Sequence, residues 1–254
     1  MATQFHPVLF AVAILPAAVW LTGCSQPDST TTAADAASSS TAASTSTPAP
    51  ESPSAASTET PPTTPSALVE GRDYTVIKTP LNVEKPDQIE VREFFWYGCS
   101  HCYALEPSLN NWLATKPVDV SFIRTPAALN PVWEQNARAY YTVEGMGKMT
   151  NALHDQLFNT IHQQQKQLFD QPALAEFYSK AGVDVAAFNA GYNSFAVTTK
   201  VNQSKQLAQR AGLSGVPALV VNGRYLVSGE PQQMISTVNG LIAQERQASA
   251  AATP

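Results

Sequence analysis

The chain has 254 residues, 44% of them hydrophobic and 14% charged, which is enough for one good-sized domain or two small ones. Its net charge is −5, with 15 Lys and Arg and no basic run, which argues against a nucleic-acid partner. The cysteines stand at 24, 99 and 102, too few for a scaffold stapled by disulfides.

Met1 to Cys24 contains a short apolar run, Val8 to Leu21, interrupted by Pro16 and too short to span a bilayer comfortably. An apolar core followed by small residues is the layout of a secretory signal. Leu21-Thr22-Gly23-Cys24 resembles the lipobox of bacterial lipoproteins, in which cleavage leaves the cysteine as a lipidated first residue. That resemblance implies a signal peptide over 1–23 and a lipid on Cys24, although Met1 to Pro7 lacks the usual basic residues. Ser25, rather than Asp, then favours the outer over the inner membrane by the lipoprotein sorting rule. From Ser25 to about Ser66 the chain is Ser, Thr, Ala and Pro, which cannot bury enough surface to offset the entropy of ordering. Residues 24–67 are therefore expected to be a disordered tether, with a reach of roughly 35–40 Å.

A first folded segment is expected over 68–128. Tyr74-Thr75-Val76-Ile77 reads as a short strand stopped by Pro80, and Gln88 to Tyr97 as a long one. Period two puts Ile89, Val91, Glu93, Phe95 and Tyr97 on one face of that strand, so Glu93 interrupts an apolar row. Glu90 and Arg92 mark the other face. Cys99-Ser100-His101-Cys102 follows at the threshold of a helix whose stripe is Leu105, Leu109, Trp112 and Leu113, with Pro107 expected to kink it. Val118 to Arg124 reads as a third strand, giving a right-handed parallel crossover.

Helical periodicity then takes over for an expected insert at 129–212. Trp133, Ala137, Tyr140 and Tyr141 fit one helix. Met149, Leu153, Leu157, Phe158 and Ile161 fit a second, and Leu174, Phe177, Tyr178 and Ala181 a third. A last helix runs from about Phe195 to a Gly212 stop. In the segment 213–247, Asn222-Gly223 between two apolar runs signals a type I′ hairpin, and Met234, Ile235, Val238, Leu241 and Ile242 mark a closing helix. Residues 248–254 are expected to fray.

Helix N-termini carry unpaired N–H groups and a partial positive charge, so a thiolate on Cys99 is favoured there while Cys102 sits one turn in, close enough to bridge. With Cys24 assigned to lipid, no other cysteine remains for a structural bridge, and the pair is suited to exchange. A purely stabilising role is disfavoured because so short a loop restricts the unfolded chain little. Zinc would need four ligands, and neither a second cysteine pair nor a suitably spaced histidine pair accompanies the motif. No metal or other cofactor is expected. Glu93, beneath the pair, could relay protons for Cys102 or form a structural ion pair with Arg124, and both readings stay open here.

Three stretches resemble the DsbA family of periplasmic thiol:disulfide oxidoreductases: Glu93 to Tyr103 around the dithiol, Gly215-Val216-Pro217-Ala218, and Asn222-Gly223 with its hairpin. The family usually has Pro where this chain has Ser100, and often a Lys beside the buried Glu, where Phe122 stands here. The resemblance implies an α/β, thioredoxin-like fold with an inserted all-helical domain. It also implies a cis Val216–Pro217 peptide beside the disulfide, with both residues meeting an incoming chain. Catalytic roles for Cys99, Cys102, His101 and Glu93 follow, with a lowered Cys99 pKa and a strongly oxidising couple. Its implied partners are reduced or unfolded exported polypeptides and a quinone-linked, DsbB-like reoxidant in the inner membrane. A monomer in the periplasm, held to the membrane by the lipid on Cys24, is expected. A reductase or isomerase of the same fold, or a client-binding lipoprotein with an incidental thiol pair, are the competing readings.

Overall fold

The computed structural model describes residues 67–251, so the expected signal, Cys24 and most of the tether lie outside the described part. The elements are β1 (Thr75–Val76), β2 (Ile89–Phe95), α1 (Ser100–Thr115), β3 (Val120–Pro126), then five helices, α2 (Pro131–Gly145), α3 (Asn151–His162), α4 (Gln171–Lys180), α5 (Val185–Tyr192) and α6 (Phe195–Arg210). The hairpin β4 (Ala218–Val221) and β5 (Tyr225–Val227) and a last helix, α7 (Pro231–Ala251), complete the order. The five strands lie in the order β1-β5-β4-β2-β3, with β2 parallel to β3 and antiparallel to β4. This is a thioredoxin-like fold with helices inserted between β3 and β4. Among the described residues no helix is long and apolar enough to cross a membrane.

Strand β2 lies inside the sheet, between β4 and β3, and is covered on both sides, which is why its end is apolar on both faces. On one face Val91, Leu219 and Val221 pack with Leu105, Leu109 and Trp112 of α1 and Val238 and Leu241 of α7. On the other, Phe94 and Val220 meet Ala208 of α6. The insert's own core, built on Leu157, Phe158, Leu174 and Phe188, is continuous with Phe95, Tyr97 and Cys102. Helical packing thus reaches the buried sulfur.

Each inserted helix begins on a polar side chain that accepts from the N–H three residues on: Asn130, Thr150, Asp170, Asp184 and Ser194. Helix α5 was not legible from periodicity because only Phe188 and Tyr192 of its eight residues are buried. Met149 precedes α3 rather than opening it, and Phe195 begins α6 in water, 88% exposed.

Other differences from the sequence reading have simple causes. Strand β3 starts at Val120, because a turn closed by Val120 N–H to Pro117 O (3.1 Å) takes Val118 into solvent. Glu90 and Arg92 do lie on the face opposite Glu93, yet they are buried. Arg92 is satisfied there by Glu90 (3.0 Å), Glu84 (3.0 Å) and the Thr125 hydroxyl (2.8 Å). Helix α7 runs through Ala251, so Ala248 to Ala251, expected to fray, are helical, as suits an alanine-rich stretch. Pro107 lies inside α1, which continues on both sides of it.

Asn222 and Gly223 have φ of 48° and 66°, the two left-handed residues a type I′ turn requires. A Cβ on Gly223 would stand 2.2 Å from the Leu81 carbonyl oxygen, whose own N–H donates to Gly223 O (2.8 Å). Gly223→Ala should therefore cost roughly 2–4 kcal/mol in chemical denaturation, strain and clash acting together, whereas a change at open Gly71 confined to its φ should cost less.

Candidate functional site

Past Phe95 the chain turns through Trp96, Tyr97 and Gly98 into α1, with Cys99 N–H donating to Trp96 O (3.0 Å). The turn is tightly packed. A Cβ on Gly98 would lie 2.3 Å from the Trp96 indole, so glycine alone lets the ring rest on the loop. Trp96 stacks on Trp133 of α2 at 4.9 Å and donates its Nε1–H to Asn136 Oδ1 (2.9 Å).

Cys99 is the N-cap of α1, and its Sγ accepts from the Cys102 N–H at 3.4 Å. Its thiol reaches the Val216 carbonyl at 3.3 Å, across from the entrance to β4, where the Val216–Pro217 peptide is cis. Cys99 is partly exposed, whereas Cys102 is fully buried. The Cys99 thiol is pulled down to about 6, chiefly by a hydrogen bond from the Cys102 side chain. Burial opposes that shift, while the backbone N–H groups of Cys102 and His101 and the His101 charge assist it. Burial, followed by the Cys99 thiolate itself, drives the Cys102 thiol far upward. One sulfur is thus prepared to ionise and its neighbour to stay protonated.

The sequence from 90 to 238 matches the model of the DSBA-like thioredoxin domain. Thiol:disulfide interchange protein DsbA of Pseudomonas aeruginosa is 37% identical over 183 residues, covering 70% of this chain and 86% of the relative. DsbA of Azotobacter vinelandii is 39% identical over 188 residues, covering 72% and 87%.

This chain belongs to the DsbA family.

It is a thiol:disulfide oxidoreductase. Its fold superposes on the crystal structure of P. aeruginosa DsbA with a TM-score of 0.68 at 36% identity, over 72% of this chain and 97% of that one. The Xylella fastidiosa DsbA structure gives 0.68 at 31% identity, over 71% and 98%.

Below the dithiol lies a buried polar cluster. Glu93 and Arg124 stand opposite each other in the β2–β3 register, with Arg124 Nε 3.3 Å from Glu93 Oε2. The approach is off line, and no other donor among the described residues reaches either Glu93 oxygen in good geometry. Arg124 Nη2 donates to Glu106 Oε2 (3.3 Å) and Nη1 to Asn151 (2.7 Å). His154 Nε2 is 3.2 Å from Glu106 Oε1, and its Nδ1 is 2.8 Å from the Tyr97 hydroxyl. Burial and then the charge of Glu106 push Glu93 well above the carboxylate range. Although burial opposes ionisation of Glu106, contact with His154 and Arg124 holds it below that range.

The sequence reading brought Cys99, Cys102, Glu93, Val216 and Pro217 to this end of the fold, with His101 exposed beside them. It missed Glu106 and His154. Glu106 had a signal, since it falls on the stripe that buries Cys102, Leu105 and Leu109. His154 had none, because its partners come from other elements. Glu93, Glu106 and His154 place ligand-type atoms within 4.8 Å of one another, but the Arg124 guanidinium already supplies the cation both carboxyls face.

The pH dependence follows from Cys99. Its folded pKa lies below its ordinary value of 9.0, so the reduced form gains stability that is fully present near pH 9 and is lost as pH falls through about 6. Above pH 9 the raised Cys102 acts in the opposite sense. The melting temperature of the reduced protein minus that of the oxidised one should therefore rise from pH 6 to pH 9; a flat difference would remove the thiolate as the source of redox poise.

Proposed function

We propose that this DsbA-family protein is an oxidase that donates a Cys99–Cys102 disulfide to exported polypeptides in the bacterial envelope. The contrast between the two sulfurs carries the reading: Cys99 is partly exposed and readily ionised, Cys102 buried and held protonated. Anything that stabilises the Cys99 thiolate lowers the free energy of the reduced form and makes that sulfur a good leaving group.

A client thiolate attacks Cys99, the accessible sulfur, and forms a mixed disulfide. The Cys99–Cys102 bond breaks with its electron pair on Cys102, which becomes a thiol by taking a proton, and Glu93 is the nearby acid suited to supply it. A second client thiolate then attacks the client sulfur of the mixed disulfide. The Cys99 thiolate leaves, so the client departs oxidised by two electrons and the protein reduced by two. The N–H groups at the start of α1, the Cys102 thiol and His101 favour that departing thiolate. The Val216–Pro217 segment lies against Cys99 and is suited to seat the client's backbone.

A quinone-linked, DsbB-like enzyme of the inner membrane is the proposed reoxidant. The protein itself is placed in the periplasm as a monomer, tethered through a lipid on Cys24, with the outer membrane favoured by Ser25.

Cys99→Ser should abolish exchange with a reduced model peptide. Cys102→Ser should accumulate mixed disulfides visible on a non-reducing gel. The reduced wild type should melt above the oxidised form at pH 7; the reverse order would mark a reductase, and near-equality a binding protein with an idle thiol pair. The anchoring reading is separate. Cys24→Ser should shift the protein from the membrane to the soluble fraction, and an unchanged membrane fraction would remove the lipid assignment.

A further inference from the structure

The buried cluster contains two carboxyls, Glu93 of β2 and Glu106 of α1, and their hydrogen-bond environments differ. Arg124 donates to Glu106 in good geometry, and a second polar partner stands at its other oxygen. His154 Nε2 lies 3.2 Å from Oε1 and Arg124 Nη2 lies 3.3 Å from Oε2, so both oxygens are served. No donor reaches either oxygen of Glu93 in good geometry among the described residues: Arg124 Nε approaches Oε2 only off line at 3.3 Å, and Glu106, itself a carboxyl, can be a partner only by accepting a proton that Glu93 carries. A buried carboxylate is stable only where donors satisfy it. The negative charge therefore belongs on Glu106 and the proton on Glu93.

The tautomer of His154 follows. Glu106 can only accept, so Nε2 carries the hydrogen, and Nδ1 is left to accept the Tyr97 O–H at 2.8 Å. The imidazole is 1% exposed and lies edge-on to Phe95 and Phe158, which fixes its plane. A directed chain of donors thus runs from Tyr97 through His154 to Glu106. Its middle member comes from α3, in the insert, rather than from the sheet or the helix that carries the dithiol.

We propose that His154 is a positioning residue of the redox centre: by donating to Glu106 it keeps the negative charge there and leaves the proton on Glu93, the acid that acts on Cys102. This rests on the reading of Cys99–Cys102 as the exchanging pair. When that disulfide opens, the electron pair of the broken S–S bond lands on Cys102, Glu93 O–H protonates it, and solvent later returns a proton to Glu93. Without the His154 donor the two carboxyls compete for one proton beside Arg124. Glu93 is then partly anionic, unable to donate and repelling the departing Cys102 thiolate. The titratable groups around this pair are Arg124 on β3, Glu106 and Cys102 on α1, Tyr140 on α2, Asp155 beside His154 on α3, and Tyr97 after β2.

The test uses the full chain with His154→Phe, His154→Gln and Glu106→Gln. Gln retains both a donor and an acceptor at the imidazole's position; Phe has neither. Opening of the disulfide by reduced glutathione at pH 7 should slow about tenfold in His154→Phe, as one pKa unit of lost protonation on Glu93 requires. The deficit relative to the wild type should shrink at lower pH, where Glu93 regains its proton, with the Cys99 titration still near 6. His154→Gln should restore most of the wild-type rate. Wild-type rate and pH profile in His154→Phe, or an equally slow folded His154→Gln, would overturn the proposal.

A static measurement covers the case in which His154→Phe fails to fold, and it needs no exchange activity. Infrared spectra of the wild type at pH 7 should show the carbonyl band of a buried protonated carboxyl, assigned by its loss in Glu93→Gln. Glu106→Gln should also remove that band, since Glu93 then faces Arg124 alone and ionises. A band that survives Glu106→Gln, or one that Glu93→Gln leaves in place, would overturn the proton assignment, whereas failure of exchange in the wild type with the band intact would count only against the oxidase reading.

Discussion

The structure depends on an unequal distribution of solvation between two sulfurs three residues apart in sequence. Cys99 caps α1, where N–H groups and a neighbouring S–H lower the cost of negative charge. Cys102, one turn deeper, touches the aromatic core that the insert shares with Phe95 and Tyr97. A disulfide joining such unlike positions is poised to break in one direction, because one fragment is comfortable as an anion and the other only as a neutral thiol. The rest of the fold maintains that difference.

The sheet does so by delivering chain ends to one place. Strand β2 brings the dithiol, β4 begins at the cis-proline segment, and β3 carries Arg124 into register with Glu93. The buried charges on the two faces of β2 are kept apart by the strand itself. Glu90 and Arg92 neutralise each other on one side, while Glu93, Arg124 and Glu106 form a separate group under the cysteines on the other. Such buried groups add little net stability. Their value here is that they determine where a proton resides.

The local elements were legible wherever one residue type decided the geometry. The period-two row from Ile89 to Phe95, the Asn222-Gly223 turn and the capping position of Cys99 depend on neighbours in sequence, and each is found where the pattern put it, whereas Tyr97, read as the end of that row, lies past the strand in the turn. What the pattern missed depends on partners distant in sequence. Val118 looked like the start of a strand because it alternates with Val120 and Phe122, but a turn takes it into water. Glu90 and Arg92 mark the face opposite Glu93 as the alternation implied, but their burial there depends on one another and on Glu84 and Thr125. His154 matters only because Tyr97 and Glu106, 57 and 48 residues away, meet it. Of the two alternatives open on sequence grounds for Glu93, the contact with Arg124 is an off-line approach at 3.3 Å to a carboxyl that burial holds well above the carboxylate range, while the hydrogen bonds that Arg124 makes go to Glu106 and Asn151.

Helix α3 ends on His162, whose Nε2 bonds the Tyr97 carbonyl at 2.8 Å and whose ring lies flat on Tyr103 at 4.8 Å. The helical region therefore grips the dithiol loop on both flanks, just before Cys99 and just after Cys102. It is not a detachable module. A minimised version of this protein, trimmed to strands and their covering helices for engineering purposes, would keep both sulfurs yet lose the brace that holds their loop, and a transplanted motif on a bare scaffold would inherit the letters without their setting.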